Sequence, residues 1–433
     1  MTNREQSETI RRVSIRLLPV LLGLYLVAYL DRVNVGIAAL QMNADLKFSA
    51  ATFGLGAGIF FLGYALCEVP SNVILAHVGA RRWLARIAIT WGLLTCAMMF
   101  VRTPLQFYGT RLLLGVAEAG LFPGVIYYLS HWFPETYRAR ALSRFMVALA
   151  LAQVIGAPLG GALLSLRGVM GLAGWQWLFL VEGLPPVLLG LVVLWYLTER
   201  PDDAHWLSPA QRTWLVEEIA SERSRVQGAA ASALRALTNP LAWTLMIPYF
   251  AYYTVALTGS FWAPTIVRES LHTSDAATGL VIGGISLISV GAYLWAGALA
   301  DRSGEPCRVA ALGLVCSAVA CTGLAFLEHS PYRFLALIFI VLANSFFMPS
   351  FWCLPTRFLK GPSGAAGIAL INAVGSSGGF FGPSIIGFFR TLGGGDAAGF
   401  YGLALLATLG AFVLLGLRKV NTFRPVAKLA VAA

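Results

Sequence analysis

Two oppositely charged residues, Asp31 and Arg32, stand side by side in the apolar stretch "YLVAYLDRVNVGIA" at residues 25–38. A charged side chain near the centre of a membrane helix costs roughly 2.5–3.5 kcal/mol on insertion scales, so such residues are functional candidates. Adjacent helical positions lie about 100° apart, so the two side chains point to different faces. Arg32 shares its face with Tyr29, and Asp31 shares its own with Asn34. Arg32 is suited to bind a carboxylate through its planar guanidinium, and Asp31 is suited to exchange a proton.

A second pair of opposite charges, Arg111 and Glu118, lies in another apolar stretch. The seven-residue spacing places both on one helical face, two turns apart, and Gly115 leaves room on that face. Two acids and two arginines balance each other, so an added anion makes the site negative unless an acid takes up a proton. This balance predicts coupled binding of an anion and a proton, with Asp31 and Glu118 as the proton-coupling acids. Arg111 is a further candidate for contact with the anion.

Two more acids, Glu68 and Glu182, fall within apolar stretches. Glu68 stands beside Pro70, and its position favours gating or interhelical bonding over contact with a substrate. Glu182 is expected to bond neighbouring backbone or loop arginines. The alternative for Asp31, Arg32, Arg111 and Glu118 is a static charge network that holds helices together, and among these four it carries most weight for Arg111.

The composition indicates an integral membrane protein. Of 433 residues, 58% are hydrophobic and 12% are charged, and the mean hydropathy is +0.73. A soluble domain has roughly 45–50% apolar and about 25% charged residues. The six cysteines form no metal-spaced set, and the five histidines lie at the ends of apolar stretches or in loops. We therefore expect no metal, no cofactor and no proton relay through histidine.

Twelve apolar stretches are long enough to cross a bilayer, which requires about 20 residues. They cover residues 17–41, 52–76, 83–101, 105–130, 141–165, 175–197, 240–264, 276–300, 308–328, 331–356, 366–390 and 397–418. The predicted fold is an all-α membrane protein with twelve transmembrane helices in two pseudo-symmetric six-helix bundles.

The polar segments set the predicted boundaries of these bundles. We expect an N-terminal tail at 1–16, a first bundle at 17–197, a linker with a short amphipathic helix at 198–239, a second bundle at 240–418 and a C-terminal tail at 419–433. Basic residues number 23 on the side of both tails and the linker, and six on the other side. The asymmetry places both termini and the linker in the cytoplasm. It also accounts for the net charge of +11 without a nucleic-acid partner.

Several motifs carry a resemblance to a known family. "GALADRSG" at 297–304 resembles the loop signature of the major facilitator superfamily, although its first-half counterpart has Ala76 and His77 where Asp and Arg usually stand. "YLDRVNVGIA", "RLLLGVAEAGLFPG", "FWCLPTRFL" and "GIALINAVGSSGGFFGP" resemble the anion:cation symporter family, particularly bacterial permeases for phthalate, tartrate, hydroxyphenylacetate and sugar acids. The resemblance implies proton-coupled uptake of a small organic carboxylate by a monomer in the lipid of the bacterial inner membrane.

The resemblance also implies roles for individual residues. Asp31 and Glu118 match protonation sites, and Arg32 matches the residue that binds the substrate carboxylate. Tyr64, Gln153 and Asn372 match cavity positions of sugar-acid permeases, and Trp352 lies in the matching tenth-span motif "SFWCLP".

The second half is expected to contribute uncharged side chains to the site, because no acid or base lies deep in its spans. Tyr253 is a candidate there, as are Tyr249 and Asn344, since hydroxyls and amides orient an anion without adding charge. Asp301 and Arg302 of the loop signature are expected to act with Glu68 in gating.

Three other functions fit the sequence less well. "GAPLGG" at 156–161 resembles the fifth-span motif of drug–proton antiporters, but exporters of cationic drugs usually lack a cavity arginine such as Arg32. A polytopic membrane enzyme would need clustered His and Asp or a Ser–His pair near a membrane face, and the sequence has none. A channel is disfavoured because a two-fold repeat of six spans does not easily build a symmetric pore. The sequence leaves open which carboxylate is carried.

Overall fold

The computed structural model describes residues 1–224, 240–358, 361–393 and 395–418. Throughout these ranges the regular structure is helical, without β-strands. The predicted C-terminal tail and residues 225–239 of the predicted linker lie outside the described residues, as does the side chain of Asp301.

The first seven helices correspond to six predicted spans, with one span divided in two and with α1 beginning within the predicted N-terminal tail. They are α1 (Asn3–Asp45), α2 (Ala50–Val78), α3 (Ala80–Ala97), α4 (Pro104–Glu118), α5 (Leu121–Ser130), α6 (Glu135–Leu164) and α7 (Gly174–Tyr196). The amphipathic helix predicted in the linker is present as α8 (Pro209–Ser224). The remaining described helices are α9 (Pro240–Leu271), α10 (Asp275–Ser303), α11 (Pro306–Phe326), α12 (Arg333–Phe358), α13 (Gly361–Ser376), α14 (Gly378–Thr391) and α15 (Ala397–Arg418).

Eleven helical segments of the described chain are long and apolar enough to cross a membrane. The predicted span at 366–390 differs from these because it consists of two shorter helices, α13 and α14, separated by Ser377. The local sequence "GSSGG" at 375–379 explains this break, since glycine is a poor former of helix interiors and serine a mediocre one.

The described helices belong to two compact units. Among the described residues, the first contains residues 1–38 with 59–224, and the second contains residues 39–58 with those from 240 onward. The end of α1 and the start of α2 are therefore grouped with the second unit, whereas the sequence assigns both helices entirely to the first bundle.

The fourth predicted span is interrupted directly after Glu118, where α4 ends. Ala119 leaves the helical conformation, and Gly120 adopts a left-handed conformation with φ of 87°, which glycine enters without steric cost. The Ser71 hydroxyl donates a hydrogen bond of 2.6 Å to the Ala119 carbonyl oxygen, so α2 holds this turn. Glu118 is thereby fixed at the last position of a helix.

The backbones of α2 and α4 touch each other within the first unit. A Cβ atom added to Gly115 would lie 2.0 Å from the carbonyl oxygen of Phe60, and one added to Gly63 would lie 2.5 Å from that of Leu112. The space that the sequence suggested at Gly115 is thus filled by the α2 backbone and is not open to a ligand. These contacts fix α4 against α2.

A buried ion pair ties together three segments of the second unit. Arg333 at the start of α12 pairs with Asp396, and both side chains are at most 3% exposed. Arg333 also donates through Nε to the Leu324 carbonyl oxygen of α11 at 3.1 Å. Asp396 immediately precedes α15, so the pair joins the ends of α11, α12 and α15.

Candidate functional site

An ion pair between α1 and α4 lies at the centre of the charged cluster in the first unit. Arg32 donates from Nε to Oε1 of Glu118 at 2.7 Å, and its terminal NH2 nitrogen lies 2.6 Å from the same oxygen. The Glu118 side chain is fully buried and the Arg32 side chain is 14% exposed. Oε2 of Glu118 accepts no hydrogen bond from the described residues. The arginine is thus neutralised through one carboxylate oxygen.

Asp31 has a separate set of partners. Its Oδ1 accepts from the Asn34 amide at 2.9 Å, and its Oδ2 accepts from the Thr95 hydroxyl of α3, also at 2.9 Å. Both donors are neutral, and Asp31 is 1% exposed. The adjacent Asp31 and Arg32 side chains therefore serve different partners, as the divergence of neighbouring helical positions predicts.

Arg111 completes the cluster from α4. It is 1% exposed, lies with its guanidinium 4.8 Å from the centre of the Phe60 ring, and interacts electrostatically with Asp31 and Glu118. Two arginines and two acids are therefore buried together in the first unit. Buried charges of this kind are costly unless they are paired, and here each charge has an opposite charge close to it.

Aromatic and amide groups surround Arg32. Its guanidinium lies 4.8 Å from the centre of the Tyr64 ring, and the Tyr64 hydroxyl interacts with it. Tyr29 interacts with Arg32 and with Gln153 of α6. The structure thus brings the first-unit candidates Tyr29, Tyr64 and Gln153 together around one cation.

The second-unit candidates form a separate aromatic cluster around Tyr249. Its hydroxyl donates to Oδ1 of Asn372 at 3.3 Å, and its ring centre lies 5.1 Å from that of Trp352 and 5.6 Å from that of Tyr253. Oδ1 of Asn344 accepts a separate hydrogen bond from the Ser317 hydroxyl at 3.3 Å. The sequence identified these residues individually, and the structure adds that Tyr249 connects three of them.

The residues predicted to act in gating are spread over both units. Glu68 is half-buried on α2 and interacts electrostatically with Arg32, so it lies nearer the charged cluster than its sequence position suggested. Arg302 is exposed near the end of α10.

Two buried groups near Asp31 differ from what the sequence indicated. Thr95 was overlooked, because one threonine in an apolar helix gives no signal that it bonds an acid on another helix. Glu182 was expected to bond backbone or loop arginines. It is 3% exposed, and neither carboxylate oxygen has a hydrogen-bond partner among the residues that the structure describes.

The comparisons with known proteins agree with this architecture. The family model described as Major Facilitator Superfamily matches residues 21–383 and 250–431. The chain is 45% identical over 423 residues to an Agrobacterium vitis protein named "Putative tartrate transporter", covering 97% of this chain and 96% of that protein. It is 41% identical over 417 residues to an Acinetobacter baumannii protein named "Quinolone resistance transporter", covering 94% of each.

A solved structure shows the same fold. A bacterial homologue of the human lysosomal transporter Spinster, in an inward-facing and unoccupied conformation, aligns with a TM-score of 0.71, covers 96% of both chains and is 18% identical. The match to the family model over most of the chain, the two close relatives and the eleven membrane-crossing segments among the described residues lead to one conclusion. The chain belongs to the major facilitator superfamily and is a multi-pass transporter of the bacterial plasma membrane, not an enzyme.

Proposed function

We propose that this transporter imports a small organic carboxylate together with a proton, and that the substrate is a hydroxy acid of the size of tartrate. The observation that carries the proposal is the buried ion pair in which Arg32 is neutralised by a single oxygen of Glu118. A substrate carboxylate offers two oxygens to the guanidinium and forms the stronger bidentate arrangement. The relative named as a tartrate transporter supports the choice of substrate class.

Coupling follows from the burial of Glu118. When a substrate carboxylate takes over Arg32, Glu118 loses the partner that balances its charge. A buried carboxylate without a partner is costly, and protonation removes that cost. Binding of the anion and of a proton are therefore favourable together. Loss of the proton restores the pair with Arg32 and expels the anion.

Asp31 is the second proton-coupling acid in this proposal. Two neutral donors and Arg111 stabilise its charge, so Asp31 keeps its partners when the substrate binds Arg32.

Uptake by the purified protein in liposomes tests the proposal. Labelled tartrate is supplied outside, and the interior is made alkaline relative to the exterior. We expect accumulation that requires the inward proton gradient and is abolished by a protonophore. Equal uptake with and without the gradient would exclude proton coupling, and an absence of both uptake and tartrate exchange would exclude tartrate as a substrate.

Efflux of a quinolone is the second candidate function, and the 41% identical quinolone resistance transporter favours it. Quinolone antibiotics carry a carboxylate, so the same competition with Glu118 for Arg32 applies to them. The two candidates differ in direction. Vesicles loaded with a fluorescent quinolone and given an outward-directed drug gradient with an inward proton gradient distinguish them, because an antiporter empties faster under the proton gradient and a symporter does not.

A further inference from the structure

Glu182 on α7 is the acid that the proposed coupling leaves unused. It is buried, with 3% exposure, and neither of its oxygens lies in hydrogen-bonding geometry with a described group. The groups that act on it are the Asn34 amide and the Asp31 carboxylate, both from α1. No cation acts on Glu182 in the part of the chain that the structure describes. An ionised carboxylate in such surroundings would be strongly destabilised.

The hydrogen bonds of Asn34 indicate which acid carries the charge. The Asn34 amide nitrogen donates to Oδ1 of Asp31, and the Thr95 hydroxyl donates to Oδ2. Asp31 thus accepts a donor on each oxygen and lies in the field of Arg111, which favour its ionised form, whereas its burial and the nearby Glu118 carboxylate act against ionisation. The carbonyl oxygen of Asn34 has no donor among the described residues.

A protonated Glu182 supplies the hydrogen-bond donor that the carbonyl oxygen of Asn34 lacks. A protonated carboxyl has one O–H group, and Asn34 presents an unoccupied acceptor to the same buried region. The amide then donates to the ionised acid from its nitrogen and accepts from the protonated acid at its oxygen. The arrangement is self-consistent only with the charge on Asp31 and the proton on Glu182.

We propose that Glu182 is a second proton-binding site, which shares one proton with Asp31 across the amide of Asn34. Transfer breaks the O–H bond at Glu182 and forms an O–H bond at Asp31, and the negative charge moves from Asp31 to Glu182. Asn34 then turns its amide over, so that its nitrogen donates to Glu182. The amide does not conduct the proton; it donates a hydrogen bond to whichever of the two acids is ionised. This role rests on the proposed proton-coupled function.

Among the described residues, Asp31 of α1 is the charged group that acts on Glu182. On α3, the Cys96 thiol donates to the Leu180 carbonyl oxygen of α7 at 3.9 Å, two residues before Glu182. The charged pair of Arg32 and Glu118 belongs to the other side of α1, because Arg32 and Asp31 diverge.

Infrared spectroscopy of the purified protein tests the protonation of Glu182 without any substrate. At neutral pH we expect the C=O stretching band of a protonated carboxyl to be lost in Glu182→Gln and kept in Glu217→Gln, which removes an exposed acid of α8. Asn34→Ala should keep the band but shift its frequency, because the carboxyl loses its acceptor. A band unchanged in Glu182→Gln overturns the inference. Should that variant not fold, a spectrum unchanged in Asn34→Ala overturns it equally.

Transport in liposomes tests the role of that proton. Glu182→Gln should exchange tartrate across the membrane at the rate of the wild type, yet fail to accumulate it under an inward proton gradient. Accumulation at the wild-type level by Glu182→Gln would overturn the coupling role. If the wild type itself does not accumulate tartrate, the proposed function fails, whereas the infrared result still decides whether Glu182 holds a proton.

Discussion

Arg32 directs two of its nitrogens at one oxygen of Glu118, at 2.7 and 2.6 Å, while the second oxygen of Glu118 accepts no hydrogen bond from a described residue. The pair is buried but is not the parallel two-bond arrangement that makes arginine–carboxylate pairs strongest. A ligand that presents both carboxylate oxygens can replace Glu118 at the guanidinium. The geometry is therefore suited to exchange of partners.

Replacement of Arg32 by lysine should weaken binding of the anion. Lysine keeps the charge but loses the planar fork, so we expect the dissociation constant for tartrate to rise roughly tenfold or more, as for loss of one charged hydrogen bond. Titration calorimetry or ligand-induced thermal stabilisation measures the change. Arg102→Lys, at an exposed loop position, is the matched control, and an unchanged affinity in Arg32→Lys would count against the anchor role.

Replacement of Glu118 by glutamine should separate exchange from accumulation. Glutamine cannot take up or release a proton, so the variant should bind and exchange tartrate but not concentrate it against a gradient. We expect the same separation in Asp31→Asn. Counterflow and gradient-driven uptake in liposomes measure the two activities, with Glu217→Gln as the control for removal of an acid. Concentrative uptake by both variants would show that neither acid couples transport to protons.

Substitution of Gly115 by alanine should destabilise the first unit. The added methyl group would lie 2.0 Å from the Phe60 carbonyl oxygen, and backbone has little freedom to move away. We expect a loss of about 1–3 kcal/mol, typical of overpacking, seen as a lower unfolding temperature in detergent. Gly109→Ala on the same helix is the matched control, because nothing lies within 4 Å of its added atom. Equal stability of the two variants would show that the helices separate easily.

The Arg333–Asp396 pair of the second unit predicts that the stability losses caused by substituting its two residues are strongly non-additive. Either Arg333→Met or Asp396→Leu removes one partner of the buried pair. Such a loss costs about 3–5 kcal/mol when the remaining charge has no other partner, and Arg390, whose Nε lies 3.5 Å from Oδ2 of Asp396, offsets part of it in Arg333→Met. The double variant removes both charges and should recover much of that loss. Thermal unfolding of the three variants measures the coupling, and strictly additive effects would mean that the two residues act independently.

The span pattern and the orientation of Asp31 and Arg32 could be predicted from the sequence, because both depend on the helical period within one segment. The partners of these residues on other helices could not be predicted. Thr95 bonds Asp31 and Asn34 lies near Glu182 through contacts between helices, and no feature of α3 or α7 alone indicates which residues face α1. The continuous spans predicted at 105–130 and 366–390 did not include the breaks after Glu118 and at Ser377, although glycines stand beside both. Nor does the sequence show that Gly115 receives a neighbouring backbone.

The contacts of α2 with α4 have a mechanical consequence. Gly115 meets the Phe60 carbonyl and Gly63 meets the Leu112 carbonyl, so main chain touches main chain at two levels. No side chain separates the two helices at these contacts, so we expect α2 and α4 to move as one rigid pair. This pair carries the Phe60 and Tyr64 rings together with Arg111 and Glu118. A change in the distance between Arg32 and Glu118 therefore requires α1, or the two side chains themselves, to move relative to that pair.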